Sequence, residues 1–291
     1  MEERIMEQSI IDLYNDCDLR FIGRREFLTK LAVIAGGVSA AYSLLSILGN
    51  DYTYAEVVSK DDPRIRAEYV NYRGATGDIR AYLAAPHKEA KMPGIVVIHE
   101  IFGLNSHIED VARRLATEDF LTLAPDALSP VGGTPEDQRE SFTLTRQLDG
   151  QTTVDNYVAA VKYLQSHPRS NGNVGVIGFC WGGGISNQVA VNCPELKAAV
   201  PFYGSQPKSE DVQKIKASLL LHYAGNDDRI NQGIAAFEEA LKKASIDYRL
   251  YMYEGTKHAF FNDTNPDRYS KEASQLAWKR TIEFLNEMLR T

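Results

Sequence analysis

The sequence predicts an α/β fold with a mostly parallel sheet and an antiparallel hairpin at its leading edge. Two observations carry this. Continuous apolar runs, of the kind buried on both faces of a sheet, alternate with segments of helical period. Ahead of them, "AEYVNYRG" and "DIRAYLAAP" alternate in polarity around Gly74-Ala75-Thr76-Gly77, which reads as a hairpin.

Each later element has its own signal. "GIVVIHE" (Gly94 to Glu100) is the first buried strand. "HIEDVARRLATEDF" follows as a helix, with Ile108, Val111, Leu115 and Phe120 near one face. "LTLAPD" is a strand, and "TVDNYVAAVKYLQSHP" is a helix stopped before Pro168. "NVGVIGF" is a strand, with a helix over 182–191. "LKAAVPFYG", "ASLLLHYAG" and "YRLYMYEG" are further strands, with helices over 232–244 and 271–289 between or after them. Asp126 to Thr152 is expected to be the longest weakly structured stretch, serving as a lid or a surface excursion.

Of the 291 residues, 44% are hydrophobic and 24% charged, the balance of a globular chain with a substantial core. The net charge of −7 comes with no basic face and no RNA-binding motif, which argues against a nucleic-acid partner. Cys17, Cys180 and Cys193 match no zinc spacing. A Cys180–Cys193 disulfide would tie up the turn that follows "NVGVIGF".

Residues 1–55 read as an address, with the folded domain over 56–291. Arg24 and Arg25 are followed by Phe27-Leu28, Lys30 and an uncharged run from Leu31 to Leu48. That order resembles the twin-arginine export signal, although Gly23 stands where Ser or Thr is usual. The glycines and serines inside the run favour a cleavable signal, with cleavage expected after Ala55. The resemblance implies passage through the twin-arginine translocation machinery to the periplasm or beyond. The alternative is an uncleaved anchor over 31–48, which spans roughly 27 Å as a helix.

In an open parallel sheet, ligands gather beyond the carboxyl ends of the strands. The polar residues just past those ends are Glu100, Cys180, Asp227 or Asp228, and His258. Cys180 sits between Gly178 and Gly182, the pattern of a nucleophile on a sharp strand-to-helix turn, where a helix N-terminus favours thiolate. The alternative is a structural cysteine packed under the turn. Asp227 has Ile230 three residues on, an apolar residue that re-enters the core, whereas Asp228 has Asn231; Asp227 is therefore the expected acid. Among six histidines, His258 alone follows a strand and a glycine loop late in the chain. His87, His107 and His167 are expected at the surface, and His99 and His222 as satisfied core residues within strands. The order Cys180, Asp227, His258 is nucleophile, acid, base. Trp181 and Ile101 are the expected backbone oxyanion donors. Glu100 brings a carboxylate near the thiol, where like-charge repulsion opposes thiolate.

Taken together, "HEIFGLN", "APD", "GFCWGG", "PFYG", "AGNDDRI" and "KHAF" resemble the dienelactone hydrolases, from about Ile65 to the C-terminus. The resemblance implies an α/β-hydrolase fold with helices on both faces, and a carboxymethylenebutenolidase-like hydrolase of small esters or lactones. It implies a triad of Cys180, Asp227 and His258, an acyl-cysteine intermediate, and no cofactor or metal. It also implies that Glu100 keeps the thiol quiet until substrate binds. Family members hold a substrate carboxylate with two arginines, one of them four residues after the histidine. That position is Asn262 here, and Arg139 is the candidate for the other. A thioesterase or acyl transferase on the same triad, or a catalytically silent binding protein, are the alternatives.

Overall fold

The computed structural model describes residues 56–290; the expected export signal with Arg24 and Arg25 lies outside them. The described chain is built on one eight-stranded sheet in the order β1-β2-β4-β3-β5-β6-β7-β8. Its strands are β1 (Ile65–Gly74), β2 (Gly77–Pro86), β3 (Met92–Ile98), β4 (Leu121–Pro125), β5 (Ser170–Phe179), β6 (Ala198–Phe202), β7 (Ser218–Asn226) and β8 (Tyr248–Lys257). The hairpin forms as expected, with Gly74 opposite Gly77, and β2 meets β4 antiparallel. All pairings from β4 through β8 are parallel. The carboxyl ends of β3 and β5–β8 therefore share one edge, which is where the functional side chains sit.

Among the described residues seven helices lie between or after the strands: α1 (Ser106–Thr117), α2 (Gln138–Gln147), α3 (Gly150–Ser166), α4 (Trp181–Asn192), α5 (Asp228–Asn231), α6 (Ile234–Lys243) and α7 (Lys271–Leu289). Strand alternation divides the core between the two faces. On β3, Val96 and Ile98 pack towards α3, α4 and α6, while Ile95 and Val97 pack towards α1 and α7. Asn105 starts α1 by accepting from the Ile108 N–H at 3.2 Å, and Asp149 starts α3 by accepting from the Thr152 N–H at 2.9 Å. Among the described residues no helix is long and apolar enough to cross a membrane.

Three expectations need correction. Asp126 to Thr152 is not weakly structured: it holds a 3-10 turn at Ser129–Val131, all of α2, and the start of α3. The buried residues of α2 are Ser141 and Thr145, so its inner face is polar and leaves no apolar period to read. His107 is not at the surface; it is buried and pairs with Asp263 at 3.0 Å, from the loop after β8. His99 lies one residue beyond β3 rather than within a strand. The expectation that it is satisfied holds. Its Nε2 accepts from the Ala127 N–H at 3.1 Å, which leaves Nδ1 to donate to the Glu100 carbonyl at 2.6 Å. His222 is satisfied too, between the Tyr253 and Thr281 hydroxyls.

Arg113 on α1 is fully buried and ties the start of the domain to the sheet. Its guanidinium reaches the Val58 carbonyl at 2.6 Å and the Tyr82 hydroxyl at 3.0 Å, with Glu56 at 3.3 Å and Asp110 at 3.6 Å. Asp110 in turn accepts from the Val57 and Val58 N–H groups. Removing the cation leaves buried Asp110 with only Arg114 as an ion-pair partner and takes the donor from the Val58 carbonyl and the Tyr82 hydroxyl. Arg113→Ala should therefore lower stability by about 3–5 kcal/mol, measured by urea denaturation.

Candidate active site

The site is built on the turn from β5 into α4. Cys180 occupies that turn with φ 56° and ψ −114°, a conformation that L-residues rarely adopt and that lifts the side chain above the sheet edge. Hydrogen bonds hold the strain in place. The Cys180 N–H donates to the Phe202 carbonyl at 3.1 Å, and the Cys180 carbonyl accepts from Gly183 and Gly184 at 3.0 and 3.2 Å. The flanking glycines are required by close approach. A Cβ on Gly178 would lie 2.1 Å from the Gly182 carbonyl oxygen, and one on Gly182 would lie 2.4 Å from the His99 carbonyl oxygen. Cys180 is half-buried and free, and Cys193 is buried and free, so no disulfide ties up the turn.

Trp181 heads α4, where backbone N–H groups have no intrahelical acceptor and face outwards. Its ring stacks on His99 with centroids 5.3 Å apart. Ile101 lies in the loop after β3, closed by the Gly103 N–H on the Glu100 carbonyl at 3.3 Å. The two amides expected as oxyanion donors thus come from two segments that are keyed together by the Trp181–His99 stack and by the Gly182 contact.

Asp227 follows β7, and His258 follows β8 directly. Asp227 Oδ2 lies 2.5 Å from His258 Nδ1, with the two side chains 6% and 16% exposed. Asp227, not Asp228, is the acid in contact with His258; Asp228 instead opens α5. Burial by itself would lower the His258 pKa. The Asp227 hydrogen bond, then the Cys180 side chain, overcome this and push it up to about 9. His258 Nε2 is buried without a hydrogen-bond partner, on the side of the ring away from Asp227.

Glu100 is buried beside them. Its Oε2 accepts from Asn262 Nδ2 at 2.6 Å, and its Oε1 has no partner. Tyr203 carries no role in the sequence reading, and Asn262 appears there only at the position of an expected arginine. Tyr203, at the end of β6, is fully buried at φ 40°, its ring centroid 5.0 Å from that of His258 and its hydroxyl unpartnered. Burial, then the charges of Glu100, Cys180 and Asp263, hold its phenol protonated well above the usual range. Asn262 grips Glu100. The only sequence signal for Tyr203 is its place at a strand end before Gly204; Asn262 is marked by its place four residues after His258, but its contact with Glu100 is not. Arg139 is exposed in the first turn of α2, where its N–H donates to Asp137. Phe142 of the same helix lies against Phe102, two residues past Glu100. Among the described residues no group of three or more His, Cys, Asp or Glu is arranged to hold a metal ion.

A parallel sheet crossed in this order, with a cysteine on a strained elbow and an Asp–His pair on later strand ends, defines an α/β-hydrolase. Comparison with known proteins narrows the class. The dienelactone hydrolase family model matches residues 79–289, and the chain belongs to that family. A protein of Saccharolobus solfataricus provisionally named carboxymethylenebutenolidase is 33% identical over 248 residues, covering 72% of this chain and 94% of its own. One of the same name from Methylorubrum extorquens is 30% identical over 288 residues, covering 94% of this chain and 97% of its own. The crystal structure of a Klebsiella pneumoniae protein, provisionally a dienelactone hydrolase, superposes with a TM-score of 0.69 at 27% identity, covering 75% of this chain and 97% of that one.

The raised His258 pKa is also a stability statement. The imidazolium gains its partners on folding, so its contribution is whole below the ordinary value of 6.5 and is lost as pH rises through about 9. Asp227→Asn should bring the His258 pKa down, read by NMR titration of the imidazole. The same substitution should flatten the fall in stability across that window, read by denaturation at a series of pH values.

Proposed function

We propose that the protein hydrolyses small esters or lactones through an acyl-cysteine intermediate. The Cys180 sulfur attacks the substrate carbonyl, and its proton passes to His258 Nε2. Asp227 fixes the ring by holding Nδ1. The oxyanion that develops is met by the Trp181 and Ile101 N–H groups. On collapse, the bond to the alcohol oxygen breaks and His258 gives its proton to that oxygen, leaving Cys180 acylated. A water then loses a proton to His258 and attacks the thioester; the acid leaves and the thiol is restored.

The observation that carries this reading is the 2.5 Å contact of His258 with Asp227, set beside a cysteine on a strained elbow. The shift on His258 fits both halves of the cycle. Once the thiol proton has reached His258, the raised pKa holds it there until the leaving alkoxide takes it. Acylation removes the Cys180 interactions that raise its pKa, so the imidazole sheds its proton more readily and is free to accept one from water. Glu100 opposes thiolate in the resting site, and its displacement by substrate favours proton transfer to His258. Arg139 is the candidate substrate contact outside this cluster. Cys180→Ala should reduce aryl-ester turnover by about 10³-fold or more. Unchanged turnover in that variant would overturn the mechanism, and loss of iodoacetamide labelling would separately mark Cys180 as the reactive thiol.

We also propose that residues 1–55 direct export by the twin-arginine route. What supports this is the sequence alone: paired arginines, Phe27-Leu28, Lys30 and a short, diluted apolar run. Arg24→Lys combined with Arg25→Lys should hold the precursor inside the cell. Normal export of that variant, followed by fractionation and blotting, would refute it.

A further inference from the structure

Glu100 is gripped by a neutral group. Asn262 Nδ2 donates to Oε2 at 2.6 Å, with Asn262 6% and Glu100 4% exposed. The orientation of the amide is set by its other end. Asn262 Oδ1 accepts from the Thr264 N–H at 3.0 Å and the Thr264 hydroxyl at 2.7 Å, so the NH2 group must face Glu100. The second carboxylate oxygen, Oε1, is buried with no hydrogen-bond partner. Burying a carboxylate is costly unless it is paired, and here one carboxamide is its whole complement.

The charges nearby do not offset it. Asp263, next to Asn262, is bound by Arg114 at 2.5 Å and by His107 at 3.0 Å. Arg114 also reaches Asp110 at 2.5 Å, so its single charge is divided between two acids. The imidazole of His258 is taken up by Asp227 at 2.5 Å. The remaining buried atoms without a hydrogen-bond partner around the thiol are the Tyr203 hydroxyl and His258 Nε2, neither a free cation.

Resting on the reading of Cys180 as nucleophile, we propose that this site takes esters whose acyl group carries no negative charge, and that Asn262 sets the preference by holding Glu100 with a neutral amide. A carboxylate on the acyl chain meets the Glu100 charge in a partly buried site, where repulsion is screened far less than in water. An uncharged acyl chain meets no such barrier. The substrate class is therefore neutral acyl esters, in contrast to any ester or lactone bound through its own carboxylate.

The test compares aryl esters of butyrate and of succinate with the same leaving group and a free carboxylate on the succinate. The readout is kcat/KM for the wild-type chain, Asn262→Arg and Arg139→Ala, each corrected by the Cys180→Ala background. The butyrate ester should be favoured by about tenfold or more at low salt, with the ratio narrowing as salt is added. Asn262→Arg should shift the ratio towards the succinate ester, a change that a merely structural role would not produce. If that variant does not fold, as judged by circular dichroism, the wild-type ratio and its salt dependence decide alone. Equal or better turnover of the succinate ester by the wild type overturns the proposal, and its loss in Arg139→Ala would identify the cation responsible. A folded Asn262→Arg with the wild-type ratio removes Asn262 from the proposal. Turnover of both esters that survives Cys180→Ala overturns the nucleophile reading and this inference with it.

Discussion

The backbone at the end of β5 can run against the loop after β3 only because two side chains are missing there. Gly178 faces the carbonyl of Gly182, and Gly182 faces the carbonyls of Ile98 and His99, at separations no Cβ could occupy. This contact sets the elbow, and the elbow sets the unusual backbone angles of Cys180. It also places the head of α4 beside the loop that carries Glu100 and Ile101. The Trp181–His99 stack closes the same joint from the side-chain end. Loosening the joint would move the candidate nucleophile, both candidate oxyanion donors and Glu100 at once. Such a site is preorganised by packing rather than by any single strong bond.

Strain at the site is shared between two neighbouring strand ends. Cys180 and Tyr203 both have positive φ, and each is anchored by a backbone bond to the next strand in the sheet. The Cys180 N–H goes to Phe202 on β6, and the Tyr203 N–H goes to His222 on β7 at 2.7 Å. The ladder that ends each strand therefore also pins the residue that departs from it. The surrounding aromatic cluster of Phe179, Phe202, Phe260 and Phe261 gives these departures no room to relax.

Behind the site, buried charges hold the loop after β8. Asp263 is drawn to α1 by His107 and Arg114; desolvation opposes its charge, but these contacts outweigh it and hold the carboxyl below its ordinary pKa. The loop carrying Asn262 is thereby fixed against a helix, and Asn262 presents its amide to Glu100. The same helix anchors the start of the domain through Asp110 and Arg113. One rigid element thus links the entry of the domain to the contact that holds Glu100.

The sequence by itself determined the sheet, its hairpin and most helix limits, and it pointed to Cys180, Asp227 and His258 as candidate site residues. These are local signals: alternation and apolar runs follow from the periods of strand and helix, and the elbow glycines flag a close approach whatever they approach. The order of strands put the three residues on one edge before any contact was known. The Ile230 spacing already favoured Asp227 over Asp228, and only the tertiary structure showed that Asp227 is the acid that reaches His258. It also decided that His107 is buried, that α2 exists, and that Tyr203 and Asn262 belong to the site. Each of those depends on a partner far along the chain or on a polar inner face, and neither leaves a period in the sequence.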